Sequence, residues 1–271
     1  MRKRWPRALL AVTIAVLSGT FIAAVISQRR PADGIPGDSP ILGLAAVTDG
    51  LLVATDKGLY ISQDSEDWAF ARDFGEARVF TASATGTAVV RWRDGSGSKV
   101  ARFTDLSGFE PTLDGLDLGT AVAPGEGDEV FVITPDGLSR LTMDEGPRSI
   151  EVDGEGPRDP ISLAFKPPNS LLVGALVDGI WEIDLSSPRW RMIAPTPTKA
   201  LIVDSSGRFL VATPGGLLWG NDDGLEFTEL RAAVEGVAEA DGVFYAVTSD
   251  RVVFVSDDGV GDWIPRGPPH K

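Results

Sequence analysis

Four cations stand close together in an acidic chain: Arg91, Arg93, Lys99 and Arg102, with Asp94 the only acid among residues 85–104. Arg91 and Arg93 are two residues apart, so a β-strand would present both on one face. Paired guanidinium groups there could hold a small anion or an acidic polymer. The competing reading is an edge strand charged against aggregation and tied to neighbouring acids. Tyr60 and Tyr245 are the only tyrosines, and both fall inside hydrophobic runs. The adjacent pairs Asp222-Asp223 and Asp257-Asp258, and the Gly125–Glu129 segment GEGDE, sit in glycine-rich stretches that read as turns. Adjacent carboxylates on a turn suit solvation or turn-pinning better than acid/base chemistry.

Other chemistries lack the residues they need. The chain has no cysteine and one histidine, His270, beside the C-terminus. Cysteine-ligated zinc and disulfides are excluded, and a Ser-His-Asp triad would have to use that tail residue. There is no P-loop, no nucleotide-binding glycine fingerprint and no metal-ligand spacing, so no cofactor or metal is expected. The net charge is −14, yet residues 1–30 hold six of the 25 basic residues and none of the 39 acids. The remainder is therefore more acidic than the whole, and its field repels nucleic acid.

That basic segment has its own logic. Residues 1–7 contain Arg2, Lys3, Arg4 and Arg7; residues 8–27 carry no charge and are rich in Ala, Val, Leu and Ile; Arg29 and Arg30 follow. Twenty helical residues at about 1.5 Å each match a hydrocarbon core of about 30 Å. The excess of positive charge before the run keeps the N-terminus in the cytoplasm and sends the remainder outside. The reading is a transmembrane signal anchor at 8–27, with cleavage near Ser27 and secretion as the alternative. Residues 28–40 are a Pro/Gly linker, and 268–271 a tail.

The elements that must position the candidate residues come from a repeat. Val-Ala-Thr occurs at 53–55 and 211–213, followed in both by Gly three residues on (Gly58, Gly216), Leu (Leu59, Leu217) and an Asp (Asp64, Asp222). Thr134 and Gly137 keep the spacing; Leu171–Ile183 keeps the shape with one extra residue before Gly179; Thr248 has Arg251 where the glycine stood. Hairpins starting near 51, 88, 130, 171, 209 and 243 give a step of roughly 38 residues, near the 40–45 of a propeller blade. A preceding and a following strand candidate flank most hairpins, as in Ile41–Val47 before and Trp68–Ala71 after the first, or Glu226–Leu230 after the fifth. Four strands per unit, middle strands apolar throughout and turn glycines at positive φ make the expected fold all-β: a β-propeller over 41–267, with six four-stranded blades. A β-sandwich pair and a seven-bladed ring are the alternatives.

Several repeats run into a motif that resembles the Asp box of bacterial neuraminidase repeats, Ser/Thr-x-Asp-x-Gly-x-x-Trp/Phe. Ser256, Asp258 and Trp263 are in step, with the glycines displaced by one. Asp222, Gly224 and Phe227 lack the Ser, and Ser62, Asp64 and Trp68 bring the Trp one residue early. The resemblance points to a superfamily that includes sialidases and photosystem II assembly-factor propellers. It implies that these residues form structural turns away from any catalytic centre, with the Asp accepting backbone N–H groups and the aromatic packing beneath. It implies a sialidase only if an arginine cluster, a tyrosine nucleophile and acidic partners are present; the Arg-Ile-Pro signature is missing. The expectation is a non-catalytic binding or scaffold module with a protein or glycan partner outside the cytoplasm. An exported glycoside hydrolase or lyase with a divergent centre is the alternative.

Overall fold

The computed structural model describes residues 39–72, 76–82, 86–94, 97–106, 113–116, 121–134, 137–142, 145–221 and 224–266. The segment read as a transmembrane anchor, residues 8–27, lies outside them, and no helix among the described residues is long and apolar enough to cross a membrane. Among the described residues all regular structure is β, and the fold is a β-propeller.

The described strands form six four-stranded antiparallel sheets, each made of four consecutive strands paired in sequence order. In chain order they occupy residues 41–72 (sheet 1), 76–116 (sheet 2), 121–150 (sheet 3), 160–194 (sheet 4), 200–227 (sheet 5) and 234–266 (sheet 6). The first strand of each sheet packs against the first strand of the next, and Ile41–Val47 of sheet 1 packs against Val234–Ala240 of sheet 6.

Alternation along each strand explains the arrangement. In the first strand Leu44 and Ala46 face sheet 6, whereas Ala45 and Val47 face sheet 2. Leu52, Ala54, Leu59 and Ile61 join the second layer, while Leu51, Val53 and Tyr60 join the first. Six apolar layers arise in this way, one between each pair of neighbours. A sheet with two apolar faces is stable only when covered on both. The middle strands accordingly have no solvent side: Gly50–Thr55 and Phe209–Thr213 are buried almost throughout.

The recurrent Thr-x-x-Gly has a local cause. Thr55 Oγ1 donates to the Gly58 carbonyl (3.2 Å) and accepts the Lys57 N–H (3.1 Å), so one hydroxyl stitches a two-residue turn. Thr213 does the same with Gly216 (2.7 Å) and Gly215 (3.1 Å), and Thr134 bonds Gly137 (3.2 Å). Gly58, Gly137, Gly179 and Gly216 all have positive φ, and Arg251 takes over that conformation (φ 68) in the last sheet. Outer-strand boundaries differ from the sequence reading: that of sheet 1 is Ala69–Arg72, one residue later than Trp68–Ala71. The outer strand of sheet 5 is Gly224–Phe227, earlier than the run Glu226–Leu230. Thr228 turns out of the ladder because its N–H and hydroxyl both bond the Leu217 carbonyl, while Leu230 accepts the Leu217 N–H.

This topology defines two rims. Turns joining first to second and third to fourth strands lie on one, called here the near rim. Second-to-third turns and the connections between sheets lie on the other. On the far rim Arg158 grips Asp178 through two side-chain bonds (2.7 and 3.1 Å) and its own N–H, fastening the connection between sheets 3 and 4; the arginine holds the Asp178 carboxyl down at about 2.

Two glycines with similar dihedrals separate strain from crowding. Gly179 (φ +88) would bring an added Cβ to 2.2 Å from the Ala194 carbonyl oxygen, whereas Gly207 (φ +83) has nothing within 4 Å. Gly207→Ala should cost only the left-handed penalty, about 1–2 kcal/mol. Gly179→Ala adds a backbone collision and should cost at least about 3 kcal/mol. Urea unfolding midpoints at constant slope give the comparison; equal losses would show that the outer strand of sheet 4 yields freely.

Candidate functional site

The four cations read as a patch do not form one surface. Arg91 lies opposite Val100 and Arg102 opposite Val89, which puts both arginines on the face turned to sheet 3, beside the Val89/Val100/Val122 layer. Both are half-buried, with their Nε atoms out of contact with solvent. Lys99 lies opposite Trp92 and belongs to the other face, toward sheet 1. Arg93 shares the strand and face of Arg91; its side chain lies outside the described residues.

The Asp turns are on the near rim, and two have the same wiring. Asp64 Oδ1 accepts the N–H groups of Glu66 (2.9 Å) and Asp67 (2.8 Å) and faces the Ser62 hydroxyl (3.0 Å). Asp258 Oδ1 accepts from Val260 (2.8 Å) and Gly261 (2.9 Å) and faces the Ser256 hydroxyl (3.0 Å). The backbone donors, Asp67 N–H foremost for Asp64 and Val260 N–H foremost for Asp258, hold both carboxyls below the usual range. Trp68 is buried in the layer between sheets 6 and 1, and Trp263 packs on the layer between sheets 5 and 6. Asp222 lies outside the described residues. Gly224 (φ +151) opens the outer strand of sheet 5, and Phe227 points outward, 51% exposed, with the Arg231 guanidinium 4.3 Å from its ring centre. Sheet 4 has a related turn missed in the sequence. Asp184 accepts the hydroxyl (2.5 Å) and N–H (2.9 Å) of Ser186, which lower its pKa, but it stands one place earlier relative to the turn glycine and no aromatic follows in step.

Among the described residues, three grooves open on the near rim. The groove between sheets 6 and 1 encloses about 530 Å³ and is lined by Asp64, Glu66, Tyr245, Asp257 and Arg266. Arg266 lies 4.0 Å from Glu66. Burial pushes the Tyr245 phenol up, and Asp241 adds to it against a smaller opposite pull from Arg266. The groove between sheets 3 and 4, about 440 Å³, pairs the stacked rings of Phe131 and Phe165 (5.7 Å) with Glu129, Arg140 and Arg148. Arg140 bonds Glu129 at 3.2 Å. A third groove, about 500 Å³, is polar, and its described lining comes from sheet 4 alone, on the face turned toward sheet 5: Ser170, Glu182, Asp184, Ser187, Arg189 and Arg191. Among the described residues no cluster of three or more His, Cys, Asp or Glu is placed to hold a metal ion.

A fourth feature sits between sheets 5 and 6. Glu239 is 4% exposed; Oε1 accepts the Gly242 N–H at 2.7 Å, and Oε2 is buried without a hydrogen bond. Burial raises its pKa, with Asp204 and Asp241 adding repulsion. Asp204 is itself buried but saturated by Ser206 and by the N–H and guanidinium of Arg208.

No family model and no curated relative matches the chain. Solved structures resemble it in shape. A chain of a nidogen/laminin complex aligns with a TM-score of 0.60 and 17% identity, over 85% of this chain and 93% of that one. A streptogramin B lyase aligns at 0.58 and 12% identity, over 90% and 87%. A catalytically inactive histidine-to-alanine variant of virginiamycin B lyase from Staphylococcus aureus, with quinupristin, aligns at 0.57 and 14% identity, over 88% and 87%. At such identities the likeness establishes the propeller fold and not a neuraminidase-repeat lineage.

The Glu239 carboxyl yields a signed prediction. Its native pKa lies above its unfolded value, so the native state is favoured by protonation and loses stability as pH rises through the native pKa. Glu239→Gln keeps an acceptor for Gly242 and removes the buried charge. It should raise the thermal midpoint at pH 7, and the gain should vanish below about pH 4, where an unfolded glutamate is protonated as well. Calorimetry from pH 3.5 to 8 checks this; a gain that persists unchanged at pH 3.5 contradicts it.

Proposed function

We propose that the chain is a membrane-anchored, extracytoplasmic propeller in which all six sheets serve as blades of one closed ring, acting as a non-catalytic binding or scaffold module. The observation that carries the reading is chemical. Residues 41–267 hold grooves lined by fixed arginines, carboxylates and aromatic rings but contain no histidine and no cysteine. Groups that titrate near neutral pH and act as general bases are thus absent from the ring's sequence. Rigid rims with polar grooves recognise partners without chemistry, and the nidogen/laminin neighbour is a propeller within a protein complex. The anchor rests on the uncharged run 8–27 and its flanking arginines.

One observation favours the alternative, an exported hydrolase or lyase. Tyr245 lines a groove with Asp64, Asp257 and Arg266. Against it, the raised phenol pKa makes Tyr245 a poorer nucleophile, and a single arginine stands where a carboxylate clamp would need several. The lyase neighbour whose inactive form has a histidine replaced also differs from this chain, whose one histidine, His270, falls outside residues 41–267 of the sequence.

Two measurements test the proposal. On cell fractionation the full-length chain should stay with membranes through carbonate washing, and external protease should reach the propeller; a carbonate-soluble or protected chain contradicts the topology. Pull-down of the full-length chain from native envelope should recover a stable partner, with no turnover across a glycoside panel. Turnover abolished by Tyr245→Phe, without any recovered partner, would establish the enzymatic reading instead.

A further inference from the structure

Sheets 1 to 5 repeat one position with different chemistry. Three residues after the turn glycine, the third strand points into the layer shared with the next sheet. Ile61, Val100 and Trp219 fill that position in sheets 1, 2 and 5 with apolar side chains. Sheet 4 places Glu182 there, 8% exposed, one turn of the alternation beyond the fully buried Ile180. A carboxylate in this position is held only by cations. Arg191, directly opposite on the outer strand, bonds Glu182 Oε2 through its Nε (3.0 Å) and a terminal nitrogen, and Lys166 Nζ lies 3.8 Å from Oε1. Buried ion pairs are commonly no more stabilising than apolar side chains of similar volume. The sister sheets show that the fold accepts apolar side chains here, so packing does not explain Glu182.

The same strand aims a further cation into the groove. Arg189 and Arg191 alternate with Trp190, so both guanidinium groups lie on the side away from it. Trp190 is pinned on the opposite side. It meets Trp181 edge-on at 6.3 Å, it lies so close to Gly156 that an added Cβ would reach its ring at 2.4 Å, and its backbone N–H donates to the Asp153 carbonyl at 3.1 Å. The Asp153 N–H in turn donates to the Pro188 carbonyl at 2.9 Å, so the segment carrying Arg189 is tied on both flanks. Arg189 is exposed. Of the two acids among the groove's described residues, Glu182 bonds Arg191 and Lys166, and Asp184 accepts both donors of Ser186. The hydroxyl-bearing residues Ser170 and Ser187 complete the lining.

We propose that the groove on the face of sheet 4 turned toward sheet 5 is a carboxylate-binding site for a small hydroxyl-rich acid, the class of sugar acids. Arg189 supplies a bidentate fork, Arg191 a second charge shared with Glu182, and Ser170 and Ser187 hydrogen bonds to hydroxyls. Glu182 orients Arg191 and competes with the ligand for it. The site rests on the binding-module reading but fails separately: a partner recovered from the envelope by a chain that binds no acid sinks the site and leaves that reading.

The experiment titrates the full-length chain, in mild detergent at fixed ionic strength, with D-glucuronate and with D-glucose. Glucuronate should bind and glucose should not. Arg189→Gln should weaken glucuronate binding at least about tenfold with an unchanged unfolding midpoint, the loss expected for one charged bidentate contact. Glu182→Gln removes the internal competitor and should tighten binding at least about threefold. Equal responses to the two sugars, undiminished affinity in Arg189→Gln, or weaker binding in a folded Glu182→Gln would each overturn the site.

Discussion

Coverage of both faces of every sheet is the constraint on which the molecule depends. A four-stranded antiparallel sheet whose second and third strands are apolar on both sides has no solvent face to offer. Here the solution is serial: each sheet lends one face to the layer before it and the other to the layer after it. The first and last sheets meet in the same way, with Leu44 so close to Gly236 that a Cβ there would stand 2.9 Å from Leu44 Cβ and N. Small residues dominate where first strands crowd, as at Ala45, Ala46, Ala121, Ala123, Ala164 and Ala238, because converging strands leave room for little else.

The constraint also divides the chain's polar residues into two kinds. Some serve the turns. Thr55, Thr213, Asp64 and Asp258 each satisfy backbone groups that a tight reversal would otherwise strand, which is why Thr55, Thr213 and Asp64 stand at fixed spacing from a turn glycine. Others interrupt the apolar layers at positions where sister sheets are hydrophobic: Arg140 and Glu182 stand where Ile61, Val100 and Trp219 stand elsewhere. Repetition makes the second kind visible, since each sheet acts as a control for the others.

Much of the architecture was legible because its signals are local. The Val-Ala-Thr-x-x-Gly hairpins, the first strand Ile41–Val47 and the positive-φ glycines follow from short-range chemistry and agree with the structure. What was not legible depends on which face a residue takes and which neighbour it meets. Arg91, Lys99 and Arg102 look like one basic cluster along the chain, but strand pairing sends Lys99 to one layer and the two arginines to another. Phe227 fits the aromatic slot of a turn motif, yet Thr228 diverts the chain at that point and the ring faces Arg231. Glu182, Arg189 and Arg191 carry no motif; only the pairing of Glu182 with Arg191 and the tethering of Trp190 bring them together.

These two kinds of polar residue answer to different tests of purpose. A turn residue explains itself: remove its backbone partners and its role is gone. A charged residue inside a layer does not, because the layer would pack without it, and its desolvation must be offset by ligands, by neighbours or by both. Glu182 is offset by neighbours on a strand that is held stiffly enough to keep the geometry. Glu239 is offset on one oxygen only. The near rim thus contains one charged position whose carboxylate is met by cations at the edge of a groove, and another that is half-satisfied and closed. Only the first opens to solvent, so in a fold of repeated sheets the chemistry that differs from sheet to sheet falls to the places where the repeat is broken.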